Sequence, residues 1–119
     1  MIERIKDYFE GMDEGDIERV MNAFHPDLIY KHPRAWEFED NEPEYIGLEN
    51  FKTQYLDKRG IRPFVHELVH IFAEDDYACV LGFSDIKGGY CWICHIRFKD
   101  GKIYRYIYGK CPGRPYPLD

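Results

Sequence analysis

Apolar positions recur at helical spacing through the first part of the chain and at alternate positions through the second half. Ile2, Ile5, Phe9 and Met12 stand three, four and three residues apart, which draws one face of a helix, with Tyr8 beside that stripe. Gly15 interrupts the pattern, and Asp16 is placed to N-cap a second helix whose apolar side is Ile17, Val20, Met21 and Phe24. That helix stops before Pro26. Leu28-Ile29-Tyr30 is short and β-prone, and His32-Pro33 ends it, because a residue before proline is pushed out of the α region. Residues 34 to 46 are rich in acids, carry Trp36 and Phe38, and read as an ordered loop that covers something. A third helix is predicted from about Gly47 to Arg59, with Leu48, Phe51 and Tyr55 on one face and Gly60 as its cap.

Beyond residue 60 the period falls to two. Segments 62–74, 77–86, 90–99 and 102–109 predict four strands, with turns at Glu74-Asp75-Asp76, Lys87-Gly88-Gly89 and Asp100-Gly101. Helices followed by a run of strands predict an α+β domain over residues 1–119, three N-terminal helices packed on one face of a curved antiparallel sheet around an internal pocket. From Cys111 onward, Pro112, Pro115 and Pro117 cannot continue a strand, so the tail is expected along the surface.

Composition narrows the function classes. A chain of 119 residues with 45% apolar and 32% charged residues is globular and of single-domain size. Its net charge of −6, with no basic stripe, argues against nucleic acid as a partner. No apolar run approaches the ~20 residues of a membrane span. Met1 to Asp7 has neither the basic start nor the apolar stretch of a signal peptide, so a cytoplasmic location is expected, with the four cysteines as thiols. Ten tyrosines suit pocket walls and interfaces, where one end of the ring stays wet.

Several motifs resemble those of the nuclear transport factor 2-like superfamily, and within it the SnoaL-like polyketide cyclases and steroid Δ-isomerases. They are Tyr8 with the Gly15-Asp16 break, Phe24-His25-Pro26-Asp27, His32-Pro33, Gly47-Leu48-Glu49-Asn50-Phe51, and the hairpin Cys94-His95-Ile96-Arg97-Phe98 to Asp100-Gly101-Lys102-Ile103. The resemblance implies a cone-shaped α+β barrel whose cavity holds a small apolar molecule, and a homodimer formed through the outer face of the sheet. It also implies roles. Tyr8 matches the helix tyrosine that donates to a developing oxyanion. His32 stands where the steroid isomerases carry a general-base aspartate before a proline. Cys94 stands where they carry a second, acidic oxyanion donor.

Two of those roles are changed in kind. A histidine titrates near pH ~6.5 and can serve as general acid or base in place of a carboxylate. A thiol is a weak donor, so Cys94 argues against steroid isomerisation by the same route. By strand alternation Trp92, Ile96 and Phe98 face the cavity with Cys94, while Cys91, Ile93, His95 and Arg97 face outward. The family pattern puts Cys79, Leu81 and Phe83 inward, and Tyr104, Tyr106 and Tyr108 on the inner face of the last strand. Val80 and Ile93 are then the apolar residues of the outer face, expected to build the dimer. Tyr8 and His32 are the candidate catalytic residues, with Cys94, Trp92, Ile96, Phe83, Leu81 and Tyr106 lining the substrate site.

Other patterns give weaker readings. Cys91-Trp92-Ile93-Cys94-His95 matches haem-attachment and redox or zinc patterns, but on a strand residues three apart point to opposite faces. His66 and His70 share a strand face at ~13 Å, too far apart to chelate one ion. The acids from Glu37 to Glu44 lack the glycine-punctuated spacing of a calcium loop. No metal or cofactor is expected. Three hypotheses remain: a small-molecule isomerase, cyclase or dehydratase using His32 and Tyr8; a non-catalytic ligand-binding or dimerisation module; and a redox or haem protein using Cys91 and Cys94.

Overall fold

The computed structural model describes residues 1–33, 43–60, 65–84 and 89–111. The acidic stretch with Trp36 and Phe38, the Lys87-Gly88 part of one turn and the tail after Cys111 lie outside the described residues.

Helix α1 (Ile2–Glu14) buries Ile5, Tyr8, Phe9 and Met12, while Ile2 is exposed. Gly15 ends it in the left-handed conformation, and Asp16 Oδ1 accepts the Arg19 amide to start α2 (Ile17–Asn22). Arg19 then reaches back to Asp7 (3.0 Å) and Glu10 (2.5 Å), tying the two helices along their solvent side. Strand β1 (Phe24–Lys31) begins earlier than predicted, and Pro26 falls in a break of its pairing between Phe24 and Ile29, where a missing amide does no harm. Residues Glu44–Ile46, read from sequence as loop, form a short edge strand β2 against β1. The third helical segment has three parts: α3 (Leu48–Phe51), a π-helical turn (Lys52–Leu56) and α4 (Asp57–Arg59). A π turn advances the helix face by about one residue, ~100°. It carries Tyr55, which is buried, and precedes Arg59, which is buried too.

Strands β3 (His66–Glu74), β4 (Tyr77–Ser84), β5 (Tyr90–Lys99) and β6 (Lys102–Cys111) follow as a meander. The six strands form one curved sheet in the order β2-β1-β6-β5-β4-β3. Its pairings are antiparallel except β1 with β6, which run parallel. Asp100 and Gly101 both have positive φ, as a two-residue turn of that type requires.

Register corrects three sequence expectations. Val80 pairs with Cys94, so the inner residues of β4 are Ala78, Val80, Gly82 and Ser84. Cys79, Leu81 and Phe83 lie on the outer side, and Val80 is buried in the core rather than on the outer face. A bulge at Tyr104, between the Arg97–Arg105 and Phe98–Ile103 pairs, turns that ring outward onto Arg105 and His25, leaving Ile103, Tyr106 and Tyr108 inward. A second bulge at Val69, between Leu68 and His70, breaks the face that His66 and His70 were expected to share: His66 is inner and His70 outer.

Candidate functional site

Between α1, the third helical segment and the inner sheet face lies a hollow of about 40 Å³, space for roughly one to three waters. Tyr8, His32, Tyr55, Arg59, His66, Trp92 and Tyr106 are among its walls. Tyr8, His32, Trp92 and Tyr106 are thus brought together as sequence reasoning placed them. Cys94 and Ile96 are buried in the core beyond the walls, and Leu81 and Phe83 are on the far side of β4.

One end of the hollow is a cluster of phenols. Tyr8 Oη lies 2.5 Å from Tyr30 Oη. Tyr106 packs against Tyr8 at 5.3 Å and Tyr55 against Tyr30 at 5.0 Å between ring centres, with the Arg59 guanidinium near Tyr55 and Tyr8. Burial pushes the Tyr8, Tyr30 and Tyr106 hydroxyls well above the usual phenol range and raises that of Tyr55. Neighbouring phenols add to this, while Arg59 beside Tyr55 and Tyr8 pulls those two partly back. All four are therefore neutral donors at physiological pH. Burial also pushes the Cys94 thiol up to about 12, with Tyr106 and the Val80 backbone opposing, so Cys94 is an uncharged packing group. Next to this cluster, Tyr45 Oη is buried without a hydrogen-bond partner among the described residues.

His32 stacks on Tyr108 at 4.1 Å and leans on Tyr55 at 5.2 Å between ring centres. Its Nδ1 lies 2.6 Å from the Pro33 carbonyl oxygen. A carbonyl only accepts, so Nδ1 carries the proton and Nε2 is the basic nitrogen.

At the other end, Trp92 stacks on Phe9 at 5.0 Å and donates from Nε1 to Ser84 Oγ at 2.9 Å. Its indole lies so close over β4 that a Cβ at Gly82 would come within 2.1 Å of it. His66 packs edge-on to Trp92 and against Phe9. Its Nδ1 is 2.5 Å from Asp13 Oδ1, and its backbone amide donates to Asp13 Oδ2 at 3.0 Å. Sequence reasoning missed Asp13, His66, Arg59, Tyr30 and Tyr55. Asp13 stands four residues after Phe9, on the apolar stripe of α1, so an acid at a largely buried position was the signal that could have found it, and a phenol on β1 and another on the third helix were legible as pocket-wall candidates from composition.

Cys91 and Cys94 are both buried free thiols on β5, with Cys94 in the core cluster and Cys91 outside it. Among the described residues no group of three or more histidine, cysteine or acidic side chains is placed to hold a metal. No described helix is long and apolar enough to cross a membrane.

Comparison with known proteins bears on this geometry. A model of the SnoaL-like domain matches residues 5–106. No curated protein sequence matches the chain. Among solved structures, TerC co-crystallised with polyporic acid is similar over 92% of this chain and 90% of its own, at 19% identity and a TM-score of 0.77. A candidate polyketide cyclase from Sinorhizobium meliloti is similar over 90% and 94%, at 18% identity and a TM-score of 0.71. An LEH-like epoxide hydrolase of M. tuberculosis is similar over 92% and 81%, at 15% identity and a TM-score of 0.71. At such identities these likenesses establish the fold and leave the activity to the site.

Proposed function

The chain belongs to the SnoaL-like domain family, and from that premise we propose that it is a small-molecule enzyme acting on an apolar or polyketide-like carbonyl compound as an isomerase, cyclase or dehydratase. The observation that carries this reading is the convergence of Tyr8 and His32 on one cavity. A phenol oxygen accepts two hydrogen bonds and donates one. When Tyr30 is the donor of the Tyr8–Tyr30 bond, the Tyr8 proton is left to polarise a substrate oxygen, and His32 Nε2 takes or returns a proton on the adjoining carbon. The co-crystal of TerC, a neighbour of the same fold, with polyporic acid supports small-molecule binding.

The test uses 3-cyclohexen-1-one, whose conversion to the conjugated enone is read by ultraviolet absorbance. The wild-type protein is expected to accelerate it over buffer, and His32→Ala and Tyr8→Phe to lower that rate by about tenfold or more. A folded wild-type protein with no rate above buffer removes the catalytic reading.

The size of the hollow favours a second reading, a non-catalytic module whose cavity is filled by its own rings. That reading predicts no turnover and no enone binding by NMR. In either case the outer sheet face, where Ile93 and Ile107 are about half exposed, is proposed as a homodimer surface. A monomer by light scattering at micromolar concentration overturns the dimer.

A further inference from the structure

Carboxylate and imidazole meet in this cavity at only one described point, and that point is away from His32. Asp13 is on the last turn of α1 and His66 opens β3, 53 residues later. The contact is double: the carboxylate accepts the ring Nδ1–H with one oxygen and the His66 backbone amide with the other. Both side chains are largely buried, at 13% and 15% exposure, so water competes weakly for the pair. An ionised carboxylate only accepts, which puts the proton on Nδ1 and leaves Nε2 as the basic nitrogen of a ring that lines the hollow.

Two further features fit a held, working imidazole. Phe9 and Trp92 wall the ring on two sides, and Trp92 is itself fixed by Ser84 and by the absence of a side chain at Gly82. The same hollow presents the Tyr8 network and Arg59, a donor set for negative charge developing on an oxygen. A purely structural tie between α1 and β3 would be served by the carboxylate-to-amide bond alone.

We propose that Asp13 and His66 form a proton-transfer dyad of this cavity, with His66 the catalytic base and Asp13 its positioning residue, acting on an enolisable carbonyl compound. The proposal rests on the reading above that the cavity takes such a compound, and it assigns to His66 the proton abstraction given there to His32. In the step, the C–H bond next to the carbonyl breaks and its proton goes to His66 Nε2. The electron pair forms the enolate, whose oxygen is held by Tyr8. Asp13 balances the imidazolium charge. Nε2 then returns the proton to another carbon of the same molecule, so nothing is consumed.

The experiment has two readouts on the full chain. The first is the ¹⁵N-resolved imidazole spectrum, which reports the His66 tautomer without any ligand. The second is 3-cyclohexen-1-one isomerisation in wild type, Asp13→Asn, His66→Gln and His32→Ala. The dyad predicts an Nδ1–H tautomer that Asp13→Asn mixes or reverses, a kcat lowered about tenfold or more by Asp13→Asn with KM within about twofold, and partial recovery in Asp13→Glu. If wild type is active while Asp13→Asn keeps kcat, or if His66 carries its proton on Nε2, the dyad is wrong and the proposed function stands. If folded wild type is inactive, both fall.

Discussion

The two histidines of the cavity carry their protons on the same ring nitrogen for different reasons. His32 gives its Nδ1–H to a backbone carbonyl, and His66 gives its own to a carboxylate. A carbonyl dipole selects the tautomer but does little for an imidazolium. A carboxylate selects the tautomer and also stabilises the charge that arrives when Nε2 is protonated. The contrast extends to the surroundings. Around His32 stand phenols held neutral by burial, whereas the His66 end contains an acid–base pair beside an indole. One end is built to donate hydrogen bonds to an oxygen, the other to hold a moving proton.

The largest effect that separates the two ends is alkaline. The phenols of Tyr8, Tyr30, Tyr55 and Tyr106 are all raised above 10.0 in the folded chain by burial. Above that pH an unfolded chain releases protons that the folded chain keeps, so unfolding is favoured. Their stabilising contribution is complete below pH 10 and falls as pH rises beyond it. The loss is about 1.4 kcal/mol per pH unit for each phenol, and about 5 kcal/mol for the four. Cys94 adds a smaller loss between pH 9.0 and about 12. Urea melts at pH 9, 10 and 11 measure this, and Tyr30→Phe should reduce the slope by roughly a quarter. A stability that is flat from pH 10 to 11 contradicts a neutral phenol cluster.

Next in size is Gly82→Ala. The wall between the two ends is Trp92, which leans towards Tyr108 on one side and His66 on the other. A methyl at position 82 collides with three atoms of the indole, which Phe9 and Ser84 prevent from moving away. The expected cost is about 3 kcal/mol, at the upper end for overpacking, read as a lower urea midpoint. Loss of the Trp92–Ser84 bond should appear as a shifted indole N–H resonance. An unchanged midpoint would mean that Trp92 is free to swing, and the division into two ends would lose its wall.

Double-mutant cycles then compare the ends directly. Asp13→Ala with His66→Ala should give a coupling of about 1.5–3 kcal/mol, as for hydrogen bonds that involve charge, and it should weaken in high salt. Tyr8→Phe with Tyr30→Phe should give about 0.5–1.5 kcal/mol and be indifferent to salt, because both partners are neutral. Equal couplings with equal salt response would erase the distinction.

Much of this was legible where the determinants are local. The apolar face of α1, the Asp16 cap and the Asp100-Gly101 turn depend on residues a few positions apart, and each appears where the pattern puts it. Tyr8, His32, Trp92 and Tyr106 follow from such elements and reach one cavity. The failures lie where a distant partner decides. On β4 the large apolar residues Leu81 and Phe83 face outward and the small Gly82 and Ser84 face inward, because Trp92 on β5 fills the inner space. Hydrophobicity along β4 points the wrong way for that reason. Likewise the bulge at Val69 leaves no mark in an apolar strand, yet it puts His70 on the outer face while His66 stays on the inner one.

The smallest expected effect tests whether the phenol end is complete. Tyr45 Oη is buried next to Tyr55 and has no hydrogen-bond partner among the described residues, unlike Tyr8 and Tyr30, which bond each other. Deleting a satisfied buried hydroxyl leaves its partner exposed to the cost of desolvation, about 1–3 kcal/mol, whereas deleting an unsatisfied one removes a penalty. Tyr45→Phe should therefore leave stability within about 0.5 kcal/mol of wild type or raise it, while Tyr30→Phe, which breaks the bond to Tyr8, should lower it. Chemical denaturation of the two variants side by side decides the point. If Tyr45→Phe costs as much as Tyr30→Phe, Tyr45 is a fifth member of the network. The donor set at this end then extends past Tyr55 towards β2, widening the surface that a substrate oxygen can meet.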